Sequence, residues 1–114
     1  TCSNQHMPGY VQHAASIREK GVDTIVCVSV NDAFVMDAWG KDQGAGGNIM
    51  MVGDGNGEFT KAIGLEMDGS GFGLGTRSLR YSMIVRDGVV DTLNIESNPG
   101  EAVESGAENL MSQL

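Results

Sequence analysis

Seven consecutive residues, Thr24-Ile25-Val26-Cys27-Val28-Ser29-Val30, constrain the fold more than any other stretch. The run is β-branched and nearly continuous in apolar character, the pattern of a strand covered on both faces. Helical patterns flank it. Met7, Tyr10, Val11, Ala14 and Ile17 recur at helical spacing over residues 3–19. Gly21 closes that helix in the left-handed conformation. Pro8 falls in the first turns and cannot donate to the carbonyl of Asn4, so a bend is expected there. After the strand, Asn31 is placed to cap a helix of about ten residues with Val35, Ala38 and Trp39 on one face.

Residues 40–47 read as a polar, glycine-rich loop and 48–52 as a short apolar strand. Asp54-Gly55-Asn56-Gly57 is a turn. Residues 58–63 read as a short helix with Phe59, Ala62 and Ile63 inward, stopped by Gly64. Residues 68–75 read as a loop. Strands at 81–85 and 89–95 meet at Asp87-Gly88, a hairpin turn signal. Residues 103–114 form a closing helix with Val103, Ala107, Leu110, Met111 and Leu114 inward. Strands and helices alternate first and an antiparallel hairpin follows. That order predicts an α/β fold, a mixed sheet flanked by helices, in one domain over residues 1–114.

The net charge of −8 argues against nucleic-acid and anionic-membrane binding, since both need a basic patch. No stretch is long and apolar enough for a helical membrane span. The two cysteines, Cys2 and Cys27, do not make a disulfide framework. A reducing compartment and a free, reactive thiol are expected, and the expected location is cytoplasmic.

Cys2 opens a helix, where backbone N–H groups and the helix dipole stabilise a thiolate. A thiolate there can attack a weak O–O or S–S bond. Cys27 lies mid-strand and reads as a small packed hydrophobe, with a resolving thiol as the other reading. His6 follows Cys2 by four residues on the same helix face. It is either a base for Cys2 or a residue that lines the site without moving a proton. His13 reads as solvent-facing, and the His and Cys spacing gives no zinc site. Arg77 and Arg80 stand out in an acidic chain. A guanidinium at a strand end can stabilise a thiolate and hydrogen-bond a peroxide oxygen, or simply join a surface ion pair. The glycines at 69–75 fail the G-x-G-x-x-G register. Residues 54–57 resemble the start of a calcium loop but lack its later ligands.

Several segments together resemble the type II peroxiredoxins, the peroxiredoxin-five-like, redoxin group of the thioredoxin superfamily. They are Thr1-Cys2-Ser3 with His6, Pro8 and Gly9, Val28 to Met36, Trp39-Gly40-Lys41, Asp54 to Phe59, and Gly75 to Ser82. The similarity covers essentially the whole chain. It implies a thioredoxin-like fold and a thiol peroxidase that needs no cofactor. Cys2 matches the peroxidatic cysteine, which becomes a sulfenic acid on attacking hydrogen peroxide or an alkyl hydroperoxide. Arg80 matches the arginine that stabilises the thiolate and polarises the peroxide. Arg77 matches a commonly basic position, and Cys27 a strand cysteine common in the group, consistent with packing.

Some members carry a resolving cysteine near the C-terminus. Residues 97–114 contain none, and Glu104 stands about where it would fall. The chain thus resembles members recycled by glutathione with glutaredoxin, or by thioredoxin. Members often form homodimers, so the resemblance implies one. The family motif P-x-x-x-T-x-x-C places its Thr and Pro upstream of Thr1, so the chain is expected to be N-terminally truncated. It would then lack the central strand before Cys2, be marginally stable alone, and leave organellar targeting open. Two other uses of the thiol compete. A thiol–disulfide oxidoreductase usually needs C-x-x-C, and Gln5 occupies the second position. A non-enzymatic redox-sensing or interaction module would change a partner complex on oxidation of Cys2.

Overall fold

A computed structural model describes residues 1–98 and 100–114. In chain order, a π turn over Cys2–His6 leads into α1 (Met7–Glu19), β1 (Val26–Ser29), α2 (Ala33–Asp42), β2 (Met50–Gly53) and α3 (Glu58–Ala62). Then come β3 (Glu66–Asp68), a 3₁₀ turn over Ser70–Phe72, β4 (Thr76–Ser78), β5 (Tyr81–Arg86), β6 (Val89–Ile95) and α4 (Ala107–Ser112). These elements fall into two compact units, Thr1–Asp23 with Arg80–Leu114, and Thr24–Leu79.

In the first unit α1 buries Met7, Ala14 and Ile17, the apolar stripe its periodicity predicts. Burying Ile17 contributes about 2 kcal/mol. The expected bend at Pro8 takes a specific form. Met7 N–H bonds to the carbonyl of Cys2, five residues back, and His6 N–H to that of Thr1. The helix widens by one residue just before the proline, which has no N–H to contribute. Gly21 has φ +100°, as expected of the residue that ends α1.

Strands β5 and β6 form an antiparallel hairpin, with Arg86 opposite Val89 across the turn. Asp87 (φ +51°) and Gly88 (φ +78°) both lie at positive φ, which a two-residue hairpin turn with right-handed twist needs. Ile84 pairs with Thr92 and Val85 with Val90, so Asp91 is a bulge. The closing helix is shorter than expected. Only Ala107–Ser112 is helical, and Val103 stays exposed, because the N–H groups of residues 103–105 bond to a side chain, as described below. Ala107 and Leu110 are buried, and Ala107 packs close to Gly9 of α1.

In the second unit β1 and β2 pair in parallel, Val26 with Met50 through Ser29 with Gly53. The expected strand is cut to four residues, and Val26 remains 52% exposed. Among the described residues β1 pairs with β2 alone, and none of Val26–Ser29 is fully buried, so the two-sided cover expected from the apolar run is incomplete. Helix α2 is capped by Asp32, not Asn31. The Asp32 carboxylate accepts from Val35 N–H at 2.8 Å. Its buried face is Met36 and Gly40, while Val35 and Ala38 are exposed and Trp39 is half-buried. Gly40 lets Met51 pack close, since a Cβ there would stand 2.7 Å from Met51 Cγ and the side chain would have to shift.

Helix α3 also turns a different face inward. Phe59 and Ala62 are exposed and Thr60 is buried. The cause is Asp54, whose carboxylate accepts from Thr60 Oγ1 (2.7 Å), Thr60 N–H (2.8 Å) and Phe59 N–H (3.2 Å). These bonds, led by the Thr60 hydroxyl, hold the Asp54 carboxyl below the usual carboxylate range. The calcium-loop lookalike at 54–57 is therefore a helix cap. Part of the expected 68–75 loop is ordered as well, since β3 and β4 pair antiparallel from Glu66 with Ser78 to Asp68 with Thr76.

Candidate active site

Cys2 is an exposed free thiol at the first position of the π turn. Thr1 carbonyl accepts from both Gln5 N–H (2.8 Å) and His6 N–H (3.2 Å). The turn is thus pinned at its start, and Cys2 is held by backbone bonds on either side.

Arg80, the second predicted site residue, immediately precedes β5 in the same unit. Its Nη1 lies 3.2 Å from His6 Nδ1. His6 Nε2 lies 3.0 Å from the carbonyl oxygen of Ser105. Together these contacts fix the state of the imidazole. A guanidinium has only donors, so Nδ1 must be the acceptor, and a carbonyl only accepts, so Nε2 carries the proton. His6 is the neutral Nε2–H tautomer. Burial lowers its pKa, and the Arg80 charge acts in the same direction, against the opposing pull of the Ser105 carbonyl and Glu96. Both ring nitrogens are engaged, so His6 lines the site and is not a base for Cys2.

Ser105 is fully buried, and its carbonyl takes a second donor, the Tyr10 hydroxyl at 2.8 Å. The rings of His6 and Tyr10 meet edge to face at 5.6 Å. Burial pushes the Tyr10 phenol up to about 12, against a smaller opposing effect of the Ser82 hydroxyl. The phenol therefore stays a donor.

Glu96, just past β6, holds the Ser105 segment. It is buried, and one carboxylate oxygen accepts from Ser105 Oγ (2.7 Å) and Ser105 N–H (2.9 Å). The other accepts from the N–H groups of Val103 (3.0 Å) and Glu104 (3.1 Å). Glu96 N–H also donates to the carbonyl of Arg80 at 2.9 Å. Burial alone would raise the Glu96 pKa, but the Ser105 hydroxyl and the three N–H groups outweigh it and hold the carboxyl at about 2. Sequence reasoning missed Glu96, Ser105 and Tyr10 as members of this frame. The one available signal was a carboxylate directly after an apolar strand.

Arg77 and Cys27 belong to the other unit. Arg77 Nη1 donates to the carbonyl of Val30 (2.8 Å) and to Asn31 Oδ1 (3.0 Å), and its Nε to the carbonyl of Leu74 (2.9 Å). It ties the 30–31 segment to the loop at Leu74. Cys27 lies on β1 outside any disulfide, half-buried where full packing was expected. His13 is half-buried as well, where a solvent-facing position was expected.

A family model described as Redoxin matches residues 1–111. The chain is 49% identical over 116 residues to "Peroxiredoxin-2E, chloroplastic" of Arabidopsis thaliana, an alignment covering 100% of this chain and 49% of that protein. It thus spans about half the length of that relative. It is 44% identical over 114 residues to "Peroxiredoxin-2B" of the same plant, covering 100% of this chain and 70% of the relative. Among solved structures, reduced Prx3 from Vibrio vulnificus in complex with H2O2 superposes with a TM-score of 0.90 at 53% identity. That match covers 97% of this chain and 68% of the other. The fold is the α/β, thioredoxin-like peroxiredoxin fold. The chain belongs to the redoxin family, within it to the type II peroxiredoxins.

Proposed function

We propose that the protein carrying this chain is a thiol peroxidase that reduces hydrogen peroxide and alkyl hydroperoxides, with Cys2 as nucleophile and Arg80 as the cation beside it. The observation that supports this reading is an exposed thiol at a helix start and, in the same unit, a guanidinium bound to His6, about one turn further along the same helix. The thiolate sulfur attacks one peroxide oxygen and the O–O bond breaks. Water or an alcohol leaves after taking up a proton, and the sulfur remains as sulfenic acid. The planar guanidinium can bond the thiolate and the peroxide oxygen together, and it stabilises the charge that moves from one to the other.

Recycling needs two further electrons. No cysteine stands in residues 97–114, so these come from outside the segment. Glutathione with glutaredoxin, or thioredoxin, supplies them, and the sulfenic oxygen departs as water. The protein works as a homodimer in antioxidant defence and redox homeostasis. Its compartment is a reducing one, the cytoplasm or an organelle; relatives named chloroplastic and mitochondrial are in keeping with an organelle. No helix among the described residues is long and apolar enough to cross a membrane.

Stopped-flow mixing of the intact reduced protein with hydrogen peroxide tests the proposal. Rapid stoichiometric oxidation, abolished in Cys2→Ser, is the expected result. Equal peroxide consumption by wild type and Cys2→Ser would overturn it.

A further inference from the structure

The Glu96 carboxylate accepts four hydrogen bonds, all from residues 103–105. A buried carboxylate so placed fixes a short segment of backbone, since each bond is charge-assisted. The product of that fixing is one atom, the carbonyl oxygen of Ser105. It faces His6 Nε2 at 3.0 Å and the Tyr10 hydroxyl at 2.8 Å. A carbonyl cannot donate, so it selects the Nε2–H tautomer of His6. The lone pair then falls on Nδ1, where Arg80 Nη1 donates at 3.2 Å. Were the proton on Nδ1 instead, two N–H groups would face each other and the guanidinium would be pushed off.

We propose that Glu96 is a positioning residue for Arg80, acting through the Ser105 carbonyl and the tautomer of His6. Glu96 need not touch peroxide or sulfur. Its backbone contributes separately, because Glu96 N–H donates to the carbonyl of Arg80, and a side-chain substitution leaves that bond in place. The proposal rests on Arg80 taking part in the peroxidase reaction. Its structural half, the control of the His6 tautomer, is independent of that reaction.

The test compares wild type, Glu96→Gln and Leu110→Ala in the intact protein. Leu110 is buried in α4 and serves as a control for general loss of stability. Histidine ¹⁵N shifts report the tautomer of His6, and stopped-flow oxidation by hydrogen peroxide reports the rate. In Glu96→Gln an amide NH₂ replaces one acceptor oxygen, so at least one segment N–H loses its partner. The expected result is a mixed His6 tautomer and an oxidation rate lowered about tenfold, a shift of about 1.4 kcal/mol in barrier. Leu110→Ala should show one tautomer and a rate near wild type, even where its melting temperature falls as far. A pure Nε2–H signal in Glu96→Gln, with or without a slower rate, would overturn the proposal.

Should Glu96→Gln fail to fold, His6→Asn and His6→Ala carry the test. Asn can place Oδ1 where Nδ1 stands and keep an acceptor for Arg80, whereas Ala cannot. A rate recovered in Asn relative to Ala supports the proposal, and equal rates would overturn it. If wild type itself does not react with peroxide, the peroxidase reading fails, and the tautomer comparison still decides the structural half.

Discussion

Arg80 Nη1 donates to Nδ1 of His6 over 3.2 Å, and that contact separates the work of the two residues. The imidazole is committed at both nitrogens, so in the proposed reaction the cation is the group assigned to the sulfur. Arg80→Lys keeps a charge but loses the planar fork. Its expected effect is a fall of about 10²-fold in the rate of Cys2 oxidation, the scale found on removing one oriented donor from a reacting centre. Rapid-mixing kinetics with hydrogen peroxide measure it, and a loss below about threefold would take Arg80 out of the reaction.

Arg77 should behave in the opposite way. It serves three acceptors, Val30 O, Asn31 Oδ1 and Leu74 O, and a lysine cannot span them. Arg77→Lys is expected to lower stability by about 1–3 kcal/mol in a urea melt. Its oxidation rate should stay within about twofold of wild type, since its three acceptors all belong to its own unit. Rate and stability thus sort two arginines three positions apart.

Stability should fall with acid in two stages. The folded pKa of His6 lies below its ordinary 6.5, so the unfolded chain takes up a proton first as pH drops through that value. Stability is complete above about 6.5 and declines below it. Glu96 has the same sign, falling from 4.5 to about 2. Its contribution is present above 4.5 and lost as pH falls toward 2. Melting temperatures across this range should show both stages in wild type. In Glu96→Gln the lower stage should flatten, and an unchanged lower stage would contradict the assignment.

Two glycines should differ sharply in their tolerance of a methyl group. A Cβ on Gly53 would meet Asn31 O at 2.7 Å and both Ala33 N and Asp32 C at 2.9 Å, all backbone. On Gly40 it would meet Met51 Cγ at 2.7 Å, a flexible side chain that can move aside. Gly53→Ala is expected to cost about 3 kcal/mol or more and Gly40→Ala about 1 kcal/mol. Chemical denaturation of the two variants measures the gap, and equal losses would contradict this reading of the β2–α2 approach.

The elements legible in the sequence are those with a local cause. The α1 stripe of Met7, Ala14 and Ile17 follows the helical period, and the Asp87-Gly88 turn needs residues that accept positive φ. Asn31 and Asp32 are both capping residues, and sequence does not say which of two neighbours will cap. The β3–β4 ladder is three residues long and sits among glycines, too short to show alternation. For the candidate site, Cys2 and Arg80 stood out by residue type and position. Their frame did not, because its central atom is a backbone carbonyl, that of Ser105, which has no side-chain signature. The burial of Glu96 was hidden for a similar reason: its partners are mostly backbone N–H groups, which every sequence has.

The π turn ahead of Pro8 acts as a phase shifter. It takes in one residue more than the same length of α-helix, and each residue of an α-helix turns the chain by roughly 100°. Cys2 therefore faces a direction that the stripe of Met7, Ala14 and Ile17 does not dictate. The extra residue thus sets a fixed offset between the buried side of the helix and the azimuth of its thiol, one that an uninterrupted α-helix would not give.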